Sequence, residues 1–150
     1  MTNSLKCLVA ASLVNLISNS LGTWVAFQHH LTAAFGGFLN GQDILRDFLA
    51  FNGTALSAPF PFLLIQLVVT GLVLRPARAL NFGVIGLIAL GLIYTLGQLG
   101  EPIVLRMISP GGFDPIQACI LTVNVASSLA MLVLGIQVWR MARTSRHGSG

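Results

Sequence analysis

The stretch that decides the fold is Leu80 to Gly100, LNFGVIGLIALGLIYTLGQLG, which carries no charged side chain over 21 residues and is closed by Glu101 and Pro102. A helix needs about 20 such residues to cross the roughly 30 Å hydrocarbon core of a bilayer. Run length and the lack of period-2 alternation favour helix over strand, and a β-barrel needs many more, shorter segments. Three further apolar stretches surround it, at about Leu5–Phe27, Pro59–Leu74 and Ile116–Trp139. The second of the four is short and draws on Leu56 to Ala58 or tilts less than its neighbours. Together they predict an all-α membrane protein of one domain, a four-helix transmembrane bundle, with residues 140–150 as a tail.

The composition agrees. The 150 residues are 55% hydrophobic and 8% charged, with a mean hydropathy of +0.84. A soluble domain carries about 25% charged residues, so the outer surface of this chain is expected to face lipid. The sequence pI near 10 comes from only eight Lys and Arg, which form no basic stripe and exclude a nucleic-acid surface. Six of these eight (Lys6, Arg75, Arg78, Arg140, Arg143 and Arg146) fall at the start, the second connection and the tail. All four acids, Asp43, Asp47, Glu101 and Asp114, fall on the other side with Arg46 and Arg106. Basic residues accumulate on the cytoplasmic side, so both termini are expected inside, in a bacterial inner membrane or an equivalent cellular membrane. Asn15, Ser18 and Asn19 break the first stretch, and no cleavage motif of the A-x-A kind follows it, which argues against a signal peptide. Cys7 and Cys119 lie at opposite membrane faces, too far apart for a disulfide, and are expected as buried small hydrophobes.

Polar side chains at bilayer depth face the bundle interior. Tyr94, Gln98 and Glu101 recur at i, i+4, i+7 and share one helical face. Ser12, Asn15, Asn19 and Gly22 do the same in the first stretch. Gln66 and Thr70 mark the second stretch, and Gln117, Asn124, Ser127 and Ser128 the fourth. At about 1.5 Å per residue, Asn19, Tyr94, Gln98, Asn124 and Ser127 fall in the outer half and Glu101 at the outer boundary. This predicts a polar pocket among the first, third and fourth helices, capped by the first loop. The competing role for the amides is interhelical hydrogen bonding, worth about 0.6 kcal/mol each. Glycines 83, 86, 91, 97 and 100 are expected to let the third helix pack closely against its neighbours.

The loop from Gln28 to Ser57 is long for a connection without a role. Its segment Asp43 to Phe51 predicts a short amphipathic, interfacial helix with Asp43, Arg46 and Asp47 on one face. Adjacent His29 and His30 cannot both serve one metal from a helix, and no facing histidine pair exists for haem, so no metal and no cofactor is expected. Glu101, partly desolvated ahead of a helix-breaking proline, suits acid or base work.

The run Asp43-Ile-Leu-Arg46-Asp47 resembles, in residue types over five positions, the Asp–Arg–Asp centre of an epoxide hydrolase; that resemblance implies epoxide opening. Glu101 loosely resembles the acids that four-span sterol isomerase relatives place within their bundle. The first-span glutamate of small multidrug transporters and the loop tryptophan and cysteine motifs of claudin-like proteins have no counterpart here. The functional expectation is a bundle that binds a lipophilic small molecule and works as a cofactor-independent isomerase, cyclase or hydrolase. Glu101, Asp43, Asp47 and Arg46 are its candidate catalytic groups, and Asn19, Tyr94, Gln98, Asn124, Trp24 and Arg106 its candidate substrate contacts. The alternative is a non-catalytic accessory subunit of a larger membrane complex. Membrane lipids are partners in either case, and a homo-oligomer is compatible with both. A transporter is disfavoured, because no ionisable residue lies at mid-membrane to couple ions.

Overall fold

The computed structural model describes residues 2–34, 43–50, 52–75, 78–107, 109 and 112–147. They form six helices: α1 (Asn3–Gln28), α2 (Ile44–Leu49), α3 (Phe60–Val73), α4 (Arg78–Leu99), α5 (Pro102–Met107) and α6 (Pro115–His147). Apart from two isolated backbone bridges, at Thr32–Thr54 and Thr54–Ser57, the regular structure among the described residues is helical. Three helices (α1, α4 and α6) are long and apolar enough to cross a membrane. The second apolar stretch yields only the 14 residues of α3, about 21 Å at 1.5 Å per residue. Leu56 to Ala58, expected to lengthen it, are buried but not helical.

Beside an apolar core that includes Leu8, Leu87 and Met131, the interior holds many polar side chains while large apolar ones face outward. Ser12, Asn15, Asn19, Gln66, Asn124 and Ser128 are fully buried, while Ile17, Leu21, Leu67, Val68, Phe82, Leu96 and Val133 are exposed. Water would favour the reverse arrangement; hydrocarbon favours this one, because only the interior offers hydrogen-bond partners. Cys7 and Cys119 are also exposed. They lie on the outer apolar stripes of their helices rather than in the core, which corrects the expectation of burial.

Helix ends follow local chemistry. Thr2 Oγ1 accepts from Leu5 N–H at the start of α1. Asp114 Oδ1 accepts from the Ile116 and Gln117 N–H groups at the start of α6, with Pro115 in its first turn. The end of α1 is closed by the histidine pair. His29 is the C-cap, His30 adopts a left-handed φ of 52°, and Leu31 N–H donates to Ala26 O. This six-to-one bond is that of a Schellman cap, in which His30 takes the position usually given to glycine. Helix α6 runs on to His147 instead of stopping at Trp139, since no glycine or proline interrupts 136–147 and the Arg143 guanidinium lies 3.9 Å from the Trp139 ring centre, one turn away.

Glycines set the closest approaches. A methyl group on Gly91 would come within 2.7 Å of Ser128 O and 2.8 Å of Leu132 N, so α4 and α6 are in backbone contact there. Gly83 does the same against Val69 and Val73 of α3. Gly97 is different: a methyl group there would meet nothing within 4 Å. It is therefore not a packing glycine, contrary to the role expected for the whole α4 series.

Candidate functional site: a cavity under an inward-folded segment

Residues 52–58 fold inward at the end of the bundle that also carries the 100–114 connection. Gly53, at a φ of 77°, makes the turn, where a side chain would collide with Ser57 O and Pro59. Thr54 N–H donates to Ser57 O, and Ala55 N–H donates to Leu31 O. Leu56 is fully buried. Its carbonyl accepts from Asn124 Nδ2 at 2.9 Å, and Ala58 N–H donates to Asn19 Oδ1 at 2.8 Å. Non-helical backbone at depth is tolerated only when protein groups satisfy it, and Asn19 and Asn124 do so here. Gly22 makes room for it, since a side chain at 22 would reach 2.5 Å from Leu56 O.

The same two residues belong to a polar seam joining α1, α3 and α6. Asn19 Nδ2 donates to Asn15 O and Oδ1, and Asn15 Nδ2 donates to Ser127 Oγ and Asn124 O. Gln66 Nε2 reaches Ser12 and Asn15, and the Ser12 and Thr70 hydroxyls bond at 2.7 Å. Asn19 and Asn124 are therefore structural hydrogen-bonding groups, and their amides do not line the cavity described next.

On the other side of the inward segment lies a cavity of about 170 Å³. Asn52, Thr54, Ala55, Ser57, Ala58 and Pro59 form one wall, Phe62 of α3 flanks it, and Ile93, Tyr94, Gly97, Gln98 and Glu101 form the other. The i, i+4, i+7 spacing on α4 explains the second wall: Tyr94, Gln98 and Glu101 are all buried, whereas Leu96 and Leu99 on the opposite face are exposed. Six buried side-chain polar atoms among the described residues have no hydrogen-bond partner, and three of them lie here: Tyr94 Oη, Gln98 Nε2 and Gln98 Oε1. Gln98 is 7% exposed and Tyr94 3%. A buried polar group left unpaired costs about 1–3 kcal/mol, so this concentration makes the cavity wall expensive when empty.

Glu101 is the shared wall between this cavity and a second one of about 200 Å³, which is lined by His30, Leu31, Thr32, Ala34, Ala55, Pro102, Ile103 and Arg106. Its Oε2 accepts from Ala34 N–H at 3.1 Å. Burial pushes its carboxyl above the usual glutamate range, and the Ala34 N–H bond partly opposes that by favouring the charged form. Arg106 lines the second cavity but is exposed, and among the described residues it makes no ion pair with Glu101.

The remaining expected site residues lie elsewhere. Asp43 is the N-cap of α2, its Oδ1 accepting from Leu45 and Arg46 N–H. Asp47 is buried, and its Oδ1 accepts from Asn52 Nδ2. Arg46 is exposed. None of the three lines either cavity, so the Asp–Arg–Asp run is not assembled around Glu101; a carboxylate ahead of an apolar helix is better used for capping. Phe48 of α2 packs between Phe27 and Phe60, with ring centres 5.9 and 5.8 Å away, and this fixes α2 across the tops of α1 and α3. Trp24 is 67% exposed, on the outer stripe it shares with Leu13, Ile17 and Leu21, and does not reach the cavity. Conversely, Asn52, Thr54, Ser57, Phe62, Gly97 and the Ala34 amide were not anticipated. Among the described residues no group of three or more His, Cys, Asp or Glu is placed to hold a metal ion.

Comparisons with protein-family models, with curated proteins and with solved structures return no match for this chain.

Proposed function

We propose that the chain is a four-span integral membrane protein with both ends in the cytoplasm, and that the cavity beneath residues 52–59 binds the polar end of a lipophilic small molecule. The apolar exterior and the six basic residues on one side support the topology. In this arrangement α3 crosses with help from the inward segment above it. The observation that carries the binding reading is the set of unpartnered Tyr94 and Gln98 atoms around one cavity. Gln98 offers a donor and an acceptor side by side, and Tyr94 a hydroxyl. A neutral hydroxyl or carbonyl group on the ligand would satisfy them, and ligand sites have this character, mostly apolar with a few convergent polar groups.

Glu101, with its carboxyl pushed upward by burial, suits proton donation to a ligand oxygen at the cavity's edge. The chemistry this supports is acid-assisted isomerisation, cyclisation or epoxide opening without a cofactor. A two-acid mechanism lacks its second member, since neither Asp43 nor Asp47 lines either cavity.

The test uses 4-dodecylphenol and the protein in lipid nanodiscs. Gln98→Leu replaces both unpaired atoms by an apolar side chain of similar size. It is expected to raise the melting temperature of the empty protein and to abolish the stabilisation that the phenol gives wild type. A destabilised Gln98→Leu protein, or equal stabilisation of both by the phenol, overturns the reading.

A further inference from the structure

The cavity has one edge unlike the rest. Ile93 and Gly97, one turn apart on α4, line it and also border the outer apolar stripe of that helix. Ile93 is 46% exposed, and next to these two residues Leu92 and Leu96 are exposed as well. At Gly97 the space that a side chain would fill is open, with no atom within 4 Å. Gly71, in α3, is just as open but lines neither cavity. Gly83, Gly86 and Gly91 are all filled by neighbouring helices. Gly97 thus lies where this gap meets the cavity wall that carries the unpaired atoms of Tyr94 and Gln98.

The size of the cavity limits what it encloses. An apolar cavity of about 150 Å³ holds one benzene ring, so about 170 Å³ takes a single substituted ring or a head of that size and no long chain. A lipophile longer than this has to leave part of itself outside. The gap beside Gly97 leads that part along Ile93 and Leu96, where it would lie against exposed apolar side chains.

Resting on the binding reading above, we infer that the ligand is a membrane-resident neutral amphiphile, a ring-sized head bearing a hydroxyl or carbonyl on an aliphatic chain, which enters sideways from the bilayer through a portal at Gly97. The head pairs with Gln98 and Tyr94 beside Glu101, and the chain stays in lipid.

Two photoprobes test this in liposomes: a 4-alkylphenol with a diazirine on its first chain carbon, and one with the diazirine near the chain end. The first is expected to label Ser57, Phe62, Tyr94 or Gln98 within the cavity, and the second the outer stripe at Leu92 and Leu96. Gly97→Leu, which meets no clash at its Cβ, is expected to keep its melting temperature and lose cavity labelling by roughly tenfold or more, as an overpacked site does. Gly71→Leu, at an equally open glycine that lines neither cavity, is expected to label as wild type does. Undiminished labelling in a folded Gly97→Leu protein overturns the portal and leaves binding in the cavity standing. Absence of cavity labelling in wild type overturns the binding reading itself.

Discussion

Replacing Asn19 by leucine isolates what holds the inward segment. The Asn19 side chain accepts from Ala58 N–H at 2.8 Å and donates to Asn15 O and Oδ1 at 2.9 and 3.0 Å. Leucine keeps the branched outline, is somewhat bulkier, and removes all three bonds. An orphaned buried N–H costs about 1–3 kcal/mol. The two bonds to Asn15, within one helix and between polar groups that keep other partners, add about 0.6 kcal/mol each. The expected loss is therefore about 2–4 kcal/mol, or about 4–16 °C in melting temperature at roughly 2–4 °C per kcal/mol for a chain of this size. Thermal melting in a mild detergent, with unfolding followed by circular dichroism, measures it. Ser20→Ala is the control: Ser20 is exposed and bonds only to Leu16 O of its own helix. Because Asn124 holds the adjacent Leu56 carbonyl, the Asn19→Leu/Asn124→Leu pair should lose less than the sum of the single changes. A loss for Asn19→Leu no greater than that of Ser20→Ala would refute the idea that side-chain amides anchor this segment.

Three other outcomes are expected. Burial raises the folded-state pKa of Glu101 above its unfolded value, so between the two values the native state binds more proton and stability falls as pH rises through that window. Its contribution is most favourable below the unfolded pKa; melting temperatures recorded against pH should show this slope in wild type and not in Glu101→Gln. Gly91→Ala should cost about 1–3 kcal/mol by driving α4 and α6 apart, whereas Gly71→Ala, with open space around it, should be neutral or stabilise by up to about 1 kcal/mol; denaturant titration separates the two. For topology, a cysteine at Thr144 in a chain with Cys7 and Cys119 replaced should resist an impermeant thiol reagent in intact cells, and labelling from outside would reverse the orientation.

The sequence alone shows much of the helical layout and one wall of the site, because both rest on short-range periodicity. The i, i+4, i+7 spacing of Tyr94, Gln98 and Glu101 is local information, whereas Trp24, expected to touch the ligand, shares the exposed stripe of Leu13, Ile17 and Leu21. Asp43 carried a capping signal as well, a carboxylate just ahead of an apolar run, but its spacing to Arg46 and Asp47 drew attention to charge pairing instead. The opposite wall was not legible. Asn52, Gly53, Thr54 and Ser57 have the composition of a surface loop, and nothing near them indicates that they fold inward. That fact depends on Asn19 and Asn124, which lie 39 and 68 residues from the backbone groups they satisfy. Gly97 shows the same limit: glycine in an apolar helix marks either close packing or open space, and only the neighbours decide between them.

The pinning of Leu56 by Asn124 also has a bearing on assembly. The carbonyl belongs to the connection between the first and second apolar stretches, while its partner lies on α6, which is synthesised after α1 to α5. Until α6 docks, the Leu56 carbonyl lacks its side-chain anchor and the polar seam of α1 and α3 lacks Ser127 and Asn124. One wall of the cavity is thus completed by a helix that does not line it. The cavity is thereby conditional on the whole bundle being built, and a break in α6 near Asn124 undoes a wall formed by other elements.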